Sequence, residues 1–343
     1  MTHSLISYAQ RYEDLHLLRC FPAQPTGFYI DIGAGHPVYD NVSFAFYLQG
    51  WSGITVEPNP WLAELSAAVR PRDHRIQSLV GAAPGQATYY LIEHFHGLST
   101  TVESNARTAQ QEFGKPATAM PVAVTTLAAL CAEYAPAEID FLKIDVEGAE
   151  PDVLAGNDWK RFRPKVVTAE ALAPVTLQPS WQAWEPTLTA NGYRLAYSDG
   201  LNRYYVAEEH AGLAEKLAAA PAAFTDVVQL RNLKPALEDL GHPDHRLAQL
   251  LAGIDMVRLP LAPVEAIVER LAAGISAAEL AAPISSAASA AVHEQLFGGA
   301  PPPRWIENFH LSRDATLHDL HRAIVTGDAF RAACGRISAS YAW

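Results

Sequence analysis

Acidic side chains stand where strand-like runs of this sequence end. Phe28-Tyr29-Ile30-Asp31-Ile32 runs into Gly33-Ala34-Gly35, and Gly53-Ile54-Thr55-Val56 ends at Glu57. Ile139-Asp140-Phe141-Leu142-Lys143-Ile144-Asp145 leads into Val146-Glu147-Gly148-Ala149-Glu150, and Lys165-Val166-Val167-Thr168-Ala169 ends at Glu170. Open α/β sheets bind ligands outside the carboxyl ends of their strands, so these acids are expected to converge on one ligand site. Gly33 and Gly35 allow a tight turn and a close approach of ligand to backbone. Glu57 lies 57 − 31 = 26 residues after Asp31, a spacing that suits an acid holding a ribose diol. A dinucleotide fingerprint needs a third glycine where this chain has Val38, after Pro37. That disfavours a pyrophosphate and points to an adenosine ligand without one, S-adenosyl-L-methionine.

Methyl transfer from a sulfonium is an in-line displacement, so the protein mainly aligns the acceptor and removes its proton. A carboxylate or histidine near the methyl would serve, and Asp145, Glu147 and His36 are the candidates. A divalent cation would serve by lowering the hydroxyl's pKa, and Asp145 and Glu170, with Glu147, offer oxygen ligands for Mg2+. The plainer reading of Glu147 and Glu150 is that they favour a helix N-terminus. Ser99, in the turn-rich run Gly97-Leu98-Ser99-Thr100-Thr101, is placed on a flap over the site. Asp199 and Asn202 lie in a turn that is expected to face the acceptor. Trp181 and Trp184 have the i, i+3 spacing of core residues. The pairs His94/His96 and His318/His321 lack a third metal ligand nearby in sequence and read as solvated or loop histidines.

Those residues need a scaffold. Residues 1–26 read as a helical lead-in. Helices are expected over 42–48, capped by Asp40 or Asn41, and over 60–69, with Asn59 as cap and Pro60 at the first position. Residues 76–80 read as a third strand bordered by Gly81 and Ala82, and 87–92 as an additional one. A helix is expected over 181–190, and strands over 193–197 and 203–206 joined as a hairpin. Strands alternating with helices to about residue 206 imply a mostly parallel sheet with one antiparallel strand.

From residue 207 the chain turns alanine- and leucine-rich, with prolines between segments that show helical spacing at 212–220, 227–240, 245–251, 264–273 and 317–325. This is expected to be an α-helical domain serving dimerisation or docking. The whole chain has 343 residues and a net charge of −12, which argues against a nucleic-acid partner because phosphate contacts need a basic surface. Three scattered cysteines form no zinc or disulfide pattern and suit a reducing cytoplasm. No stretch approaches the roughly 18 apolar residues that span a bilayer, and no signal peptide is apparent.

The segments Tyr29-Ile30-Asp31-Ile32-Gly33-Ala34-Gly35, Val56-Glu57-Pro58-Asn59-Pro60, Gly97-Leu98-Ser99 and above all Phe141-Leu142-Lys143-Ile144-Asp145-Val146-Glu147-Gly148-Ala149-Glu150 resemble the FkbM family of S-adenosylmethionine-dependent methyltransferases over residues 27–206. The resemblance implies a Rossmann-like class I methyltransferase fold with a seven-stranded sheet, followed by the helical domain at 207–343. It implies that Asp31, Gly33, Gly35, Asn41, Glu57, Pro58, Asn59, Gly81, Ala82 and Asp145 contact the cofactor. Asp145 and Glu147 would lie where methyl meets acceptor, and Ser99, Glu170, Asp199 and Asn202 would face that acceptor. It further implies an O-methyltransferase acting on a hydroxyl of a sugar or glycan-related small molecule. A non-catalytic glycan-assembly partner that keeps the cofactor fold and docks through its helical tail is the alternative. Where family members often carry Asn-x-Gly, this chain has His36-Pro37-Val38-Tyr39-Asp40-Asn41.

Overall fold

The computed structural model describes residues 5–92, 96–174, 176–218, 224, 226–284, 291–292, 294–296 and 314–341. The chain divides into two compact units, one made of Met1–Ala67 and Arg72–Gln229, the other of Ala68–Pro71 and Leu230–Trp343.

The first unit opens with strand β1 (Leu5–Ser7) and helix α1 (Glu13–Cys20). Strands β2 (Phe28–Ile32), β3 (Ser52–Val56) and β4 (His74–Ile76) follow, separated by helices α2 (Phe44–Leu48) and α3 (Pro60–Val69). An inserted three-stranded sheet holds β5 (Leu79–Val80), β6 (Gly85–Ile92) and β7 (Ala117–Thr125), with α4 (Glu103–Phe113) between the last two. Then come α5 (Leu127–Tyr134), β8 (Phe141–Ile144), α6 (Glu150–Ala155), β9 (Val166–Glu170), α7 (Glu185–Ala190) and the hairpin β10 (Tyr193–Ser198) with β11 (Asn202–Ala207). Helix α8 (Ala214–Leu217) and strand β12 (Val227–Gln229) close the unit.

The main sheet has seven strands in the order β10-β11-β9-β8-β2-β3-β4. β9, β8, β2, β3 and β4 are parallel, and β11 is antiparallel to both β9 and β10. Winding reverses at β2, because β3 and β4 are added on one side and β8 and β9 on the other. That reversal opens a crevice at the carboxyl ends of β2 and β8. β2 and β8 are buried throughout, as expected of parallel strands covered on both faces.

Period-two alternation sorts their residues between two cores. Ile30, Ile32, Leu142, Ile144 and Val167 pack under α5, α6 and α7 with Leu130, Leu154 and Leu188. Tyr29, Phe141, Val166 and Tyr204 pack on the opposite face with Leu17, Phe46 and Trp51. Asp31 and Lys143 share that second face, in register with each other and with Thr168.

Local chemistry explains the helix starts. Asn59 Oδ1 accepts from the Trp61 amide (3.0 Å) with Pro60 at the first helical position. Asn41 Oδ1 accepts from the Phe44 amide (2.8 Å).

Several expected elements come out differently. Among the described residues of the lead-in only Glu13–Cys20 is α-helical, and Leu5–Ser7 pairs in parallel with Val227–Gln229. Residues 227–240 therefore do not form a helix, because their first residues are a strand and Leu230–Asn232 is a 3-10 turn. Residues 76–80 are divided, with β4 in the main sheet and β5 in the inserted one. The helix expected over 181–190 is a 3-10 turn, Trp181–Ala183, followed by α7. Trp184 is fully buried edge-on to Tyr205, and Arg203 lies 3.8 Å over the Trp181 ring, so both indoles are structural. Of the 212–220 segment, Gly212 and Leu213 end the 3-10 turn Glu208–Leu213, α8 follows, and residues 219–220 lie outside the described residues.

The second unit is helical, as its composition suggested. Helices His245–Leu250, Val264–Leu271, Ala277–Leu280, Leu317–Val325 and Asp328–Ala339 surround a core that includes Leu247, Leu251, Leu259, Ile267, Leu271, Leu320, Ile324, Phe330 and Ile337. Ser276 with Glu279, and Thr316 with Asp319, form reciprocal capping boxes. His321 is buried and His318 exposed. Inside this unit Arg336 grips Asp244 through Nε (2.7 Å) and Nη2 (2.6 Å), with little of either side chain exposed. Breaking such a pair strands a buried charge. Arg336→Ala should therefore cost the helical unit about 3 kcal/mol, read as a lower midpoint in urea unfolding followed by circular dichroism at 222 nm. No described helix is long and apolar enough to cross a membrane.

Candidate functional site

The site grows from the carboxyl ends of β2, β3, β8 and β9. Gly33 and Gly35, at φ +72 and +60, turn the chain after β2, and the amides of Gly33 and Ala34 both donate to the Val56 carbonyl (3.0 Å each). That turn brings the Gly35 amide to Glu57 Oε2 (2.9 Å), while the Asn59 amide donates to Glu57 Oε1 (2.8 Å). Pro58 and Asn59 are buried with Glu57. Burial pushes the Glu57 carboxyl up to about 7, against the downward pull of the Asn59 and Gly35 amides.

Asp31 is fully buried, and its Oδ2 accepts from the Ser43 hydroxyl (2.6 Å). Its Oδ1 lies 3.4 Å from the Lys143 ammonium. Lys143 Nζ also donates to the Gly33 carbonyl (2.7 Å) and lies 3.5 Å from Asp145 Oδ2. Burial alone would lower the lysine's pKa, but the Asp31 and Asp145 carboxylates outweigh it and hold the ammonium above its usual range.

Beyond Asp145 the backbone is strained. Glu147, not a glycine, sits at φ +56, and Gly148 follows at φ +104. The turn is held from three sides. Thr100 Oγ1 (3.0 Å) and Asn105 Nδ2 (3.3 Å) donate to the Glu147 carbonyl, and Glu150 Oε1 accepts from the Val146 and Gly148 amides (3.2 Å each). One oxygen each from Asp145, Glu147 and Glu170 lie within 4.8 Å of one another. Burial first, then the charge of Asp145, raises the pKa of both Glu147 and Glu170 well above the carboxylate range. Glu150 is raised as well, by burial.

The other expected residues take definite places. Ser99 is buried and its Oγ accepts from the Ile92 amide (3.0 Å). The next residue, Thr100, pairs with Tyr90 and reaches Glu147, which makes the 96–101 segment a wall of the strained turn. Asn202 is paired with Glu170 across β11 and β9. Its Nδ2 donates to Glu13 Oε1 (2.9 Å), and its amide donates to Asp199 Oδ1 (2.7 Å). Asp199 also accepts from the Tyr204 hydroxyl (2.7 Å). His36 Nδ1 accepts from the amides of Val38 (3.1 Å) and Tyr39 (3.0 Å). Its ring proton therefore resides on Nε2. Asn41 staples the same loop, donating from Nδ2 to the carbonyls of Ala34 (2.9 Å) and His36 (3.2 Å). Gly81 is buried against Val124 at the end of β5, and Ala82 is exposed. His94 lies outside the described residues.

Sequence reasoning passed over Lys143, Ser43, Thr100, Asn105 and Glu13. Lys143 had a signal, since a lone lysine in an otherwise apolar buried strand demands a partner. The others are set by contacts distant in sequence.

A family model described as the methyltransferase FkbM domain matches residues 31–195. The match takes in the strand ends, the Gly-Ala-Gly turn and the acidic turn after β8. Comparison with curated proteins and with solved structures gave no match.

Proposed function

The chain carries a methyltransferase FkbM domain over residues 31–195, and on that premise we propose that it is an S-adenosyl-L-methionine-dependent O-methyltransferase acting on a hydroxyl of a sugar or glycan-related small molecule. A methyltransferase of this family implies use of that cofactor in general and a small-molecule acceptor. The observation that carries the reading is the gathering of Asp31, Glu57 and Asp145 around the Gly33–Gly35 turn at the sheet's crevice. The acceptor class rests on the family resemblance.

In this reading the Gly33–Gly35 turn and Asp31 hold the methionine end, and Glu57 holds the ribose hydroxyls. Each Glu57 oxygen already takes one backbone amide and keeps lone-pair capacity for a ribose hydroxyl. The bound cofactor supplies the methyl group as an electrophile. The chain's own part is to align the acceptor oxygen and accept its proton. Asp145, part-exposed and ion-paired to Lys143, is the acid placed for that. Glu147 and Glu170, raised in pKa, hold protons beside it, and the His36 Nε2–H adds a hydrogen-bond donor in the cofactor loop.

A second reading gives Asp145, Glu147 and Glu170 a Mg2+ ion, since three converging oxygens suit a hard cation. It would lower the acceptor's pKa in place of a base. Calorimetric titration with S-adenosylhomocysteine, with and without Mg2+ and with NAD as control, tests the cofactor assignment. Transfer of labelled methyl to a panel of sugars then tests the acceptor. Binding of NAD alone, or of neither compound, overturns the proposal.

The Glu57 shift sets a pH dependence. Below about 7 the carboxyl carries a proton and loses acceptor capacity for the ribose. Cofactor affinity should accordingly rise as pH climbs from 6 to 8 and level off above, by up to about tenfold per pH unit on the acid side. The same titration in Glu57→Gln should be weak and flat across that range.

A further inference from the structure

We propose that Lys143 is a specificity-determining residue that sets how strongly the site prefers the cationic sulfonium cofactor over its neutral thioether product. This rests on the methyltransferase reading above. Three contacts support it, with Gly33 O at 2.7 Å, Asp31 Oδ1 at 3.4 Å and Asp145 Oδ2 at 3.5 Å. The register explains why one side chain reaches all three. Asp31 and Lys143 are paired across β2 and β8, and Asp145, two residues on, returns to the same face. The Asp145 amide bonds the Ile32 carbonyl (3.0 Å), which brings the end of β8 beside Gly33. Lys143 thus ties the glycine turn, the acid beneath it and the acid beside the reacting centre into one unit.

Its charge matters as much as its bonds. Asp31, Glu57 and Asp145 crowd the strand ends beside the protonated Glu147 and Glu170, and Lys143 is the one lysine or arginine with an ion pair to any of the five among the described residues. A site with its carboxylates uncompensated would favour a cation strongly and bind the neutral product weakly. An internal ammonium tempers that preference while keeping the turn shaped for both. Nothing in this depends on the lysine changing its protonation, because its partners keep it charged.

The test compares S-adenosylmethionine with S-adenosylhomocysteine by calorimetry on the full chain. Lys143→Met should weaken the homocysteine nucleoside at least tenfold, because the Gly33 carbonyl loses its donor. It should also raise the ratio of cationic to neutral affinity about fivefold, the size expected for loss of one nearby charge in a half-solvated site. Lys143→Arg should keep the wild-type ratio even where both affinities fall. Asp145→Asn should move the ratio the other way by a similar factor, and the double variant should return it toward wild type. If Lys143→Met does not fold, Lys143→Gln, which keeps a donor for the Gly33 carbonyl and removes the charge, should raise the same ratio. A ratio that is the same in every folded variant, while the wild type binds both compounds, overturns the proposal and leaves the methyltransferase reading intact. A wild type that binds neither overturns both.

Discussion

Gly33→Ala should leave the protein without measurable affinity for S-adenosylhomocysteine, a loss of at least about a hundredfold, and should lower its stability by about 3 kcal/mol or more. The reason is steric and local. A Cβ on Gly33 would lie 1.7 Å from the Asp145 carbonyl oxygen and 2.8 Å from its carbon. Both atoms are backbone, so no rotamer change relieves the clash, and the ends of β2 and β8 would have to part. The residue's φ of +72 adds the strain of a left-handed L-residue, roughly 1–2 kcal/mol. Parting those strand ends would also pull Lys143 from the Gly33 carbonyl and from Asp31. Gly35→Ala is the control. Gly35 has φ +60 but open space where its Cβ would point, so it should bear only the conformational strain. Titration calorimetry and thermal unfolding of the two variants check the contrast. Equal behaviour would mean that the turn does not shape the cofactor site.

The same contrast shows what was legible in the sequence. Both glycines could be read as turn residues, yet nothing in the sequence said which one faces a backbone carbonyl. The parallel strands were legible because burial on both faces leaves largely apolar runs at 28–32, 141–144 and 166–169, broken only by Asp31, Lys143 and Thr168. The acids that end those runs followed from the same pattern, and the hairpin from its Asp-Gly-Leu-Asn connection. Val227–Gln229 was misread because its partner, Leu5–Ser7, lies some 220 residues away, beyond any window of local periodicity. Residues 76–80 were misread because the polar Gln77-Ser78 between Ile76 and Leu79 is where the chain changes sheets. Gly148, a glycine just past β8, allows a left-handed turn there. That Glu147 shares the left-handed backbone depends on Thr100 and Asn105, which local propensity cannot see. Lys143 is the intermediate case, because the sequence shows an anomaly in a buried strand and only register shows what resolves it.

The largest effect on turnover should come from Asp145→Asn, with a fall in methyl transfer of about a hundredfold or more, the usual contribution of a positioned general base. Cofactor binding should change far less, since the Gly33–Gly35 turn, Asp31 and Glu57 remain in place. Glu170→Gln is the informative partner. Burial and the neighbouring charge of Asp145 keep a proton on Glu170, and glutamine is close in shape to a protonated glutamate. With Asp145 as base, Glu170→Gln should retain activity within about tenfold, because the proton it removes takes no part in the transfer. A Mg2+ ion predicts the reverse for this residue. Binding a divalent cation would require Glu170 to ionise and serve as an oxygen ligand, so Glu170→Gln would then be nearly as damaging as Asp145→Asn, and a chelator would silence the wild type. Methyl transfer to an acceptor found in the sugar panel, measured for both variants with and without chelator, separates the two. A chelator-insensitive wild type with an active Glu170→Gln assigns the proton to Asp145, whereas joint loss in both tests moves the acidic cluster from base to metal site.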